Sequence, residues 1–269
     1  DKSVSRGLGD VYKRQEHESA VKHVTGKAIY TDDISEPKNL LHAVIGYSNC
    51  SKGVIKKIDY KDVLSSEGVV DIITEKDIEG INDVGPIFKG DKIFTSKNIE
   101  YYGQPIFAVI AKTNNLAKKA ALKVKIDLKI SKPIVSIEEA LKKKSFVLKP
   151  KHLTRGNIKD GFKKSDNILK GKLYSGGQDH FYLEGQIAMT IPQEDNNFLV
   201  YSSTQHPSET QQIIGKVLKQ NYNSIHVIVR RIGGGFGGKE TQSFLFAAIT
   251  SIAAKKLSKP VKLRVDRDD

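Results

Sequence analysis

The sequence of 269 residues predicts an α+β fold in two parts, because strand-like and helix-like segments alternate on both sides of one basic, glycine-containing stretch. We expect a mixed α/β domain over residues 16–131, a linker over 132–156, and a second α/β domain over 157–269. Each domain contains one strand–helix–strand pattern, and Pro150 and Gly156 interrupt the stretch between them.

The first domain contains mainly strand-like segments. In chain order these are "AIYTDDI", "LLHAVIGYS", "GVVDIIT" and the strongly apolar "GQPIFAVIAK". A helix is predicted next in "NNLAKKAALKV", where Asn114 is a candidate cap and the apolar residues fall on one face. "KIDLKI" then returns as a strand and completes the first strand–helix–strand unit.

The linker begins with a short helix, since Ser136 and Glu139 form a capping box in "SIEEALKKK". In the second domain "FYLEGQIAMTI" and "FLVYSST" are strand-like, and a helix is predicted from about 208 to 218. The strand "SIHVIVR" leads directly into a glycine-rich turn. The apolar helix "ETQSFLFAAITSIAAKKL" and the strand "VKLRVD" complete the second unit.

Composition excludes several classes of protein. No apolar run approaches the roughly 18 residues that span a bilayer, and the N-terminus lacks the apolar core of a secretory signal, so we expect a cytoplasmic protein that contacts no membrane. Cys50 is the single cysteine, which excludes an iron–sulfur cluster or a four-thiolate zinc site held by this chain alone. Residues 1–15 show no amphipathic period, and we interpret them as an extraneous or disordered extension.

The net charge of +13 is concentrated in one segment. Residues 112–172 contain 18 Lys/Arg and 5 Asp/Glu, so the rest of the chain, with 26 of each, is neutral. Lysine dominates this segment, and Phe146 and Phe162 are its only aromatic residues, which does not favour nucleic-acid recognition. We interpret the segment as a solvated face; a non-catalytic, lysine-rich binding module is kept as an alternative.

The glycine-rich turn "GGGFGGKE" departs from nucleotide-binding patterns. It matches a Walker A loop up to Lys239, but Glu240 replaces the hydroxyl residue that binds magnesium. It also satisfies G-x-G-x-x-G, yet Asp266 follows Gly238 by 28 residues, where a ribose-binding acid is expected after about 20. A carboxylate at Glu240 competes with a phosphate for the same donors. Five glycines around Phe236 instead allow close backbone approach to a flat ligand and present Phe236 on a strained turn.

"RRIGGGFGGKETQ" resembles the molybdenum-cofactor loop of the xanthine dehydrogenase and aldehyde oxidase family. Further segments resemble the same family in the same order: "HVTGKAIYTDDI", "GQPIFAVIA", "GGQDHFYLEGQ", "SSTQHPSETQ" and the final "DRDD". The likeness covers about 16–269 and is greatest to the molybdopterin-binding large subunits of bacterial members. It implies an aldehyde oxidase/xanthine dehydrogenase hammerhead domain, followed by the first part of a molybdenum cofactor-binding α/β domain.

The resemblance assigns roles to individual residues. Gln178 matches the glutamine that hydrogen-bonds the apical oxo ligand of molybdenum. Gly235, Phe236 and Gly237 match loop positions whose backbone lies against the cofactor, while the pterin dithiolene rather than a protein side chain holds the metal. Glu240 matches the carboxylate that orients the purine in xanthine-oxidising members.

The resemblance also implies a reaction and partners. Hypoxanthine and xanthine are oxidised to urate by attack of a molybdenum-bound hydroxyl and hydride transfer to its sulfido ligand. Electrons leave through 2Fe-2S clusters and FAD on a partner subunit or domain, and the complete protein is expected to be a homodimer of heterodimers. The family's general base lies beyond the matched segment, so we expect the chain to be a fragment that is inactive alone. An aldehyde or other N-heterocycle hydroxylase of the same family is the alternative.

Two further pairs of residues invite interpretation. His180 and Glu184 are spaced like a metal pair, but the family uses neither as a ligand, and we expect both to be packing residues. Gln205 and His206 are predicted to shape a loop near the cofactor.

Overall fold

The fold of residues 17–268, which are the residues described by the computed structural model, contains two β-sheets. Their strands are β1 (Leu41–Tyr47), β2 (Gly53–Asp59), β3 (Val69–Ile73), β4 (Asn98–Ile99), β5 (Pro105–Ala111), β6 (Lys125–Ile130), β7 (Ile187–Pro192), β8 (Phe198–Ser202), β9 (Ile225–Ile228) and β10 (Val261–Arg264). The helices are α1 (Ala20–Val24), α2 (Lys61–Leu64), α3 (Asn114–Ala121), α4 (Ile137–Lys142), α5 (Ile158–Lys164), α6 (Pro207–Leu218) and α7 (Ser243–Leu257). None of the helices in this part of the chain is both long and apolar enough to span a bilayer. The predicted extension at 1–15 lies outside the described residues.

The larger sheet joins the two halves of the chain. Its strand order is β3-β5-β1-β10-β7-β8-β9, so three strands come from the first half and four from the second. The junction is the parallel pair β1–β10, in which Leu41 lies opposite Val261 and Ala43 opposite Leu263. The sheet is thus continuous across the predicted linker, while the predicted domain boundaries at 131 and 156 stay predictions.

Strand β5 is buried along its whole length because both faces of the sheet are covered. Ala108 and Ile110 point into the core under α6 and α7, whereas Phe107 and Val109 point into the core under α3. This alternation follows from the two-residue period of a strand. The apolar sequence of β5, which contains no polar residue to face water, is the reason it occupies an interior position.

In neither predicted strand–helix–strand unit do the two strands pair with each other. Strand β5 belongs to the larger sheet, but β6 pairs with β2 in a separate three-stranded sheet, ordered β4-β2-β6. In the second unit, β9 is separated from β10 by β8 and β7. Helix α7 bridges this gap, packing on β7, β8 and β10. Its contact with β7 includes a buried hydroxyl cluster, where Thr190 Oγ1 lies 2.9 Å from Thr250 Oγ1 and 3.0 Å from Ser251 Oγ.

Local predictions were confirmed in most places and wrong in three. Ser136 caps α4 by accepting the N–H of Glu139, as predicted. The segment "AIYTDDI" is not a strand: Thr31–Asp33 form a short 3-10 helix, since the Asp33 carboxylate accepts the N–H of Tyr30. The cap of α3 is Thr113 rather than Asn114. Helix α7 begins at Ser243, three residues later than Glu240.

A long segment between the sheet strands is exposed to solvent. Every residue from 141 to 181 is exposed, including all of α5. This segment contains most of the basic stretch, which agrees with its interpretation as a solvated face. It ends at Phe181, directly before the chain returns to the core at β7.

Candidate functional site

The glycine-rich turn connects the end of β9 to the start of α7, at the margin of the larger sheet. Arg231 fixes its entry, since its guanidinium Nε donates to Ser19 Oγ at 3.0 Å and Nη1 donates to the carbonyl of Ile29 at 3.3 Å. The N–H of Gly233 then donates to Glu184 Oε2 at 2.7 Å. The turn is therefore attached at its base to segments distant in the sequence.

Phe236 occupies the tip of this turn in the left-handed backbone region. Its φ is +51°, and the flanking Gly234 and Gly237 have φ of +98° and +90°. A left-handed backbone is unfavourable for a residue with a Cβ by roughly 1–2 kcal/mol. Phe236 is 76% exposed, so packing against the described residues does not offset this strain. The predicted presentation of Phe236 on a strained turn is confirmed.

Gln205 supports the turn from below. Its side-chain Oε1 accepts the N–H groups of Gly237 at 3.1 Å and Lys239 at 3.2 Å, and its own N–H donates to the carbonyl of Lys239 at 2.9 Å. A Cβ on Gly235 would lie 2.6 Å from this Oε1, so only glycine leaves room for the amide. Gln205 therefore shapes the loop, as the sequence predicted.

The front of the turn has free hydrogen-bond donors. Within residues 17–268, the N–H groups of Gly234, Gly235 and Phe236 donate to no acceptor. On Gly237 a Cβ would meet one atom within 4 Å, His180 Nε2 at 3.9 Å, so the space beside it is open. Consecutive free N–H groups on a turn with left-handed residues form a concave site for anionic or oxygen-bearing groups.

Glu240 lies at the end of the turn with its side chain exposed. No hydrogen bond or ion pair links its carboxylate to the described residues. Because α7 begins at Ser243, Glu240 does not occupy the first helical turn that its sequence position suggested. Its carboxylate is thus available to accept hydrogen bonds from a ligand placed before the turn.

A buried ion pair lies behind the turn. The side chain of Lys239 is completely buried, and its Nζ donates to the carbonyl of Glu184 at 2.6 Å and to Ser203 Oγ at 2.7 Å. Glu184 Oε2 lies 3.3 Å from the same Nζ. The Tyr182 ring covers the ammonium, with 4.6 Å from Nζ to the centroid. Burial lowers the pKa of Lys239 below its usual value, although the Glu184 carboxylate opposes this shift.

This ion pair replaces the metal pair that the spacing of His180 and Glu184 suggested. Glu184 is engaged with Lys239, while the His180 ring lies against Gly238, 3.0 Å from the position a Cβ would take there. In the part of the chain that the structure describes, no three His, Cys, Asp or Glu side chains are grouped to hold a metal ion. The sequence predicted packing for both residues but did not indicate Lys239 as the partner of Glu184, because the two are 55 positions apart.

Gln178 is the one predicted cofactor residue that lies outside the turn. Its side chain is exposed and has no hydrogen-bond partner among the described residues. Only two residues further on, His180 contacts Gly238, so the chain around Gln178 runs past the turn. The structure therefore places Gly235, Phe236, Gly237 and Glu240 on one turn and Gln178 on a separate, exposed segment.

A cavity of about 750 Å³ opens next to this turn, between the two halves of the chain. Its wall includes Asp179, Thr241 and Gln242, the neighbours of Gln178 and Glu240, but none of the five predicted site residues. Gln186 also lines it; the side-chain Nε2 donates to Tyr182 Oη and to the carbonyl of Gly238, both at 2.9 Å. Its Oε1 is buried without a partner in the described residues.

Two family models match this chain. Residues 25–132 match the a/b hammerhead domain of aldehyde oxidase and xanthine dehydrogenase, and residues 139–269 match a molybdopterin cofactor-binding domain. The chain belongs to the xanthine dehydrogenase and aldehyde oxidase family. The fold predicted from the sequence, a hammerhead domain followed by a cofactor-binding domain, is confirmed.

Members of this family that are named for different activities are similar to the chain. It is 38% identical over 252 residues to a xanthine dehydrogenase of Dictyostelium discoideum and 41% identical over 256 residues to one of Oryza sativa. It is also 38% identical over 255 residues to aldehyde oxidase 2 of Rattus norvegicus. Each match includes 94% of this chain but only 18–19% of the relative's length.

Solved structures of the family have the same fold. An aldehyde oxidoreductase from Desulfovibrio gigas superposes with a TM-score of 0.81 at 26% identity, covering 93% of this chain and 29% of that one. Quinoline 2-oxidoreductase from Pseudomonas putida 86 gives 0.80 at 20% identity, covering 94% and 34%. The second likeness shows the fold alone.

The residues of the turn fit the molybdenum cofactor that the family model implies. Three free N–H groups suit oxygen atoms of a metal–oxo centre or a pterin, and the absence of side-chain atoms at Gly237 leaves space for a flat group. The exposed Gln178 amide supplies both a donor and an acceptor. Glu240 adds an acceptor beside these donors.

Proposed function

We propose that this chain contributes the glycine turn of the active site of a molybdenum hydroxylase that oxidises purines, with hypoxanthine and xanthine as substrates and urate as product. The observation that carries the proposal is the position of Glu240: an exposed carboxylate without a partner among residues 17–268 directly follows a turn that offers three N–H groups with no acceptor in the same residues. A free carboxylate next to a cofactor cradle is a specificity group for a substrate rich in N–H donors.

In this proposal the chain's own residues bind and orient. Gln178, Gly235, Phe236 and Gly237 hold the cofactor through an amide and backbone groups, and the cofactor when bound supplies the redox chemistry of hydroxylation. Glu240 accepts hydrogen bonds from ring N–H groups and fixes which carbon of the heterocycle is presented. Phe236 limits the access of water from its side of the site.

Purines suit a carboxylate better than aldehydes do. An ionised Glu240 accepts hydrogen bonds and donates none, so an N–H donor opposite it forms a charge-assisted bond. A carbonyl oxygen in the same place would face another acceptor. This chemistry favours the purine, while an aldehyde or other N-heterocycle hydroxylase is the second candidate, supported by the equal identity to aldehyde oxidase 2.

The partners follow from the same proposal. We propose that 2Fe-2S clusters and FAD lie on a partner subunit or domain, since the one cysteine of this chain, Cys50, is buried among apolar side chains of β2 and β5. A cytoplasmic homodimer of heterodimers and a large subunit of the bacterial type are also proposals. The xanthine dehydrogenases named above are eukaryotic.

The test is a chimera in which residues 17–268 replace the matching region of the Dictyostelium discoideum xanthine dehydrogenase. Xanthine and an aromatic aldehyde are assayed for the chimera and for Glu240→Val and Glu240→Gln variants. Removal of a charge-assisted bond of about 2–3 kcal/mol predicts a loss of kcat/KM for xanthine of roughly 30- to 150-fold in Glu240→Val. Glu194→Gln, an exposed carboxylate in the turn before β8, is the control and is expected to leave turnover unchanged.

The outcomes separate the two candidates. Loss of xanthine turnover with retained molybdenum content supports the purine proposal. Aldehyde turnover that is indifferent to Glu240, together with unchanged xanthine kinetics, keeps the family and overturns the substrate.

A further inference from the structure

The ion pair behind the turn closes the turn at its base. Glu184 Oε2 accepts the N–H of Gly233 at the beginning of the turn and lies 3.3 Å from Lys239 Nζ at its end. Glu184 Oε1 accepts the N–H of Thr31, and Ser203 Oγ donates to Oε2 at 2.6 Å. One carboxylate thus joins both ends of the turn to the N-terminal segment and to the chain that follows β8.

Lys239 cannot act on a ligand itself. Its side chain is fully buried and its ammonium is surrounded by the Glu184 carboxylate, the Glu184 carbonyl, Ser203 Oγ and the Tyr182 ring. The residue that follows it, Glu240, is exposed. A fully buried side chain at Lys239 is therefore followed directly by an exposed carboxylate at Glu240.

We infer that the Lys239–Glu184 pair is a positioning device for the turn: it holds residues 233–239 in the strained conformation, and Lys239 thereby determines where Phe236 and Glu240 lie. The strain at Phe236 needs such a device, since a left-handed residue with an exposed side chain persists only when its surroundings impose it. The inference rests on the proposed function only for its consequence that cofactor and purine contacts depend on the pair.

Lys262 provides a matched control. It is a second buried lysine, 7% exposed, and its Nζ pairs with Asp32 Oδ1 at 2.8 Å and with Glu36 Oε1 at 3.0 Å. These partners lie in the N-terminal segment, and Asp32 directly follows Thr31, whose N–H Glu184 accepts, so Lys262 is linked to the turn only indirectly through that segment. Both lysine side chains are buried, although Asp32 and Glu36 are more exposed than Glu184, and only Lys239 closes the turn.

The experiment is amide hydrogen exchange on the chain of residues 1–269, without cofactor, at the N–H groups of Gly233, Gly237 and Lys239. Each of these groups has a side-chain acceptor, Glu184 or Gln205, so their exchange reports whether the base of the turn is closed. Lys239→Met is expected to accelerate exchange at these three amides by roughly tenfold or more relative to amides in β5. Lys262→Met is expected to leave the ratio unchanged.

The result that overturns the inference is a Lys239→Met protein in which these amides keep their protection relative to β5, even if the protein is less stable. Where Lys239→Met does not fold, the milder Ser203→Ala decides, because it leaves Glu184 and Gln205, the acceptors of the three amides, in place. Ser203→Ala removes one acceptor of the ammonium and is expected to accelerate the same amides by a smaller factor.

A second measurement connects the pair to function without altering the first. In the Dictyostelium chimera, Lys239→Met is expected to lower the molybdenum bound per protein and to raise KM for xanthine more than it lowers kcat in the loaded fraction. Because hydrogen exchange needs no cofactor, the exchange result remains valid even if the proposed function is wrong. If Lys239→Met accelerates exchange but leaves the metal content and KM unchanged, the ion pair orders the loop without affecting the site, and its role in the site is overturned.

Discussion

The Lys239 ammonium lies 2.6 Å from the carbonyl oxygen of Glu184 and 3.3 Å from the carboxylate of the same residue, with no exposed surface. The backbone carbonyl and the side-chain carboxylate of Glu184 therefore both accept hydrogen bonds from the same buried ammonium group. This arrangement makes the stability of the protein depend on the pair as a unit.

Removal of the lysine alone is expected to be more harmful than removal of both charges. Lys239→Met leaves the largely buried Glu184 carboxylate without its counter-ion, which is expected to lower the free energy of unfolding by about 3–5 kcal/mol. Lys239→Met/Glu184→Gln is expected to lose less. Urea unfolding of the two single variants and the double variant measures the coupling, and independent, additive losses would contradict it.

Gly235 is expected to reject even a methyl group. Gly235→Ala places a Cβ 2.6 Å from Gln205 Oε1, so the amide that orders the turn must move, and we expect a loss of about 1–3 kcal/mol. Gly161→Ala is the control, since a Cβ in helix α5 meets nothing within 4 Å and replaces a poor helix former. Thermal unfolding of both variants checks the pair; equal Tm values would show that Gln205 adapts freely.

Tyr60 is expected to weaken the fold at high pH. Burial and the nearby Asp77 carboxylate raise the pKa of Tyr60 to about 12, while its ordinary value is 10.0. The folded state thus resists loss of the Tyr60 proton relative to the unfolded state. The resulting contribution to the free energy of unfolding is complete below pH 10 and is lost as pH rises from 10 toward 12. Tyr60→Phe keeps the edge-on ring contact with Phe107, 5.2 Å between centroids, and removes the ionisable group.

The measurement for Tyr60 is urea unfolding at several pH values between 8 and 12. The difference in unfolding free energy between Tyr60→Phe and the unmodified chain is expected to be constant below about pH 10 and then to shift in favour of the variant, by up to about 1.4 kcal/mol per pH unit. A difference that does not change with pH would show that Tyr60 titrates normally.

Thr190 is expected to be needed for the contact between β7 and α7. Thr190→Val keeps the shape of the side chain but removes the hydroxyl that lies within 3.0 Å of both Thr250 Oγ1 and Ser251 Oγ. Each of these can still donate to the carbonyl of Ala247, so we expect a moderate loss of about 1–2 kcal/mol. Thr190→Ser, which keeps the hydroxyl, is the comparison, and a smaller effect for valine than for serine would contradict the role of the cluster.

Local order was predictable from the sequence where one residue decides it. The left-handed backbone of Phe236 among five glycines and the Ser136 cap were both confirmed, although the Glu139 carboxylate pairs with Lys143 rather than completing the predicted capping box. Strand pairing was less accessible, because β5 and β6 are close in sequence but belong to different sheets. The apolar pattern gives the faces of a strand but not its neighbour in the sheet.

In the candidate site, too, local features were predictable from the sequence and long-range contacts were not. The turn and Glu240 were found because their residues are contiguous, whereas the Lys239–Glu184 pair joins residues 55 positions apart. Glu184 sits in a strand-like run where a charged side chain signals a buried partner, but the sequence does not say which lysine it is. The exposure of Gln178 was equally inaccessible, because it depends on how the segment 141–181 lies against the rest of the fold.

The parallel pairing of β1 with β10 has a consequence for biosynthesis. Leu41 leaves the ribosome long before Val261, its partner, so this edge of β1 stays uncovered until the strand that pairs with it has been synthesised. Such a non-local pairing slows folding, and an open strand edge invites pairing with other nascent chains. A chain that ends before β10 is therefore expected to aggregate or to be retained by chaperones, because this edge of β1 then has no strand to pair with.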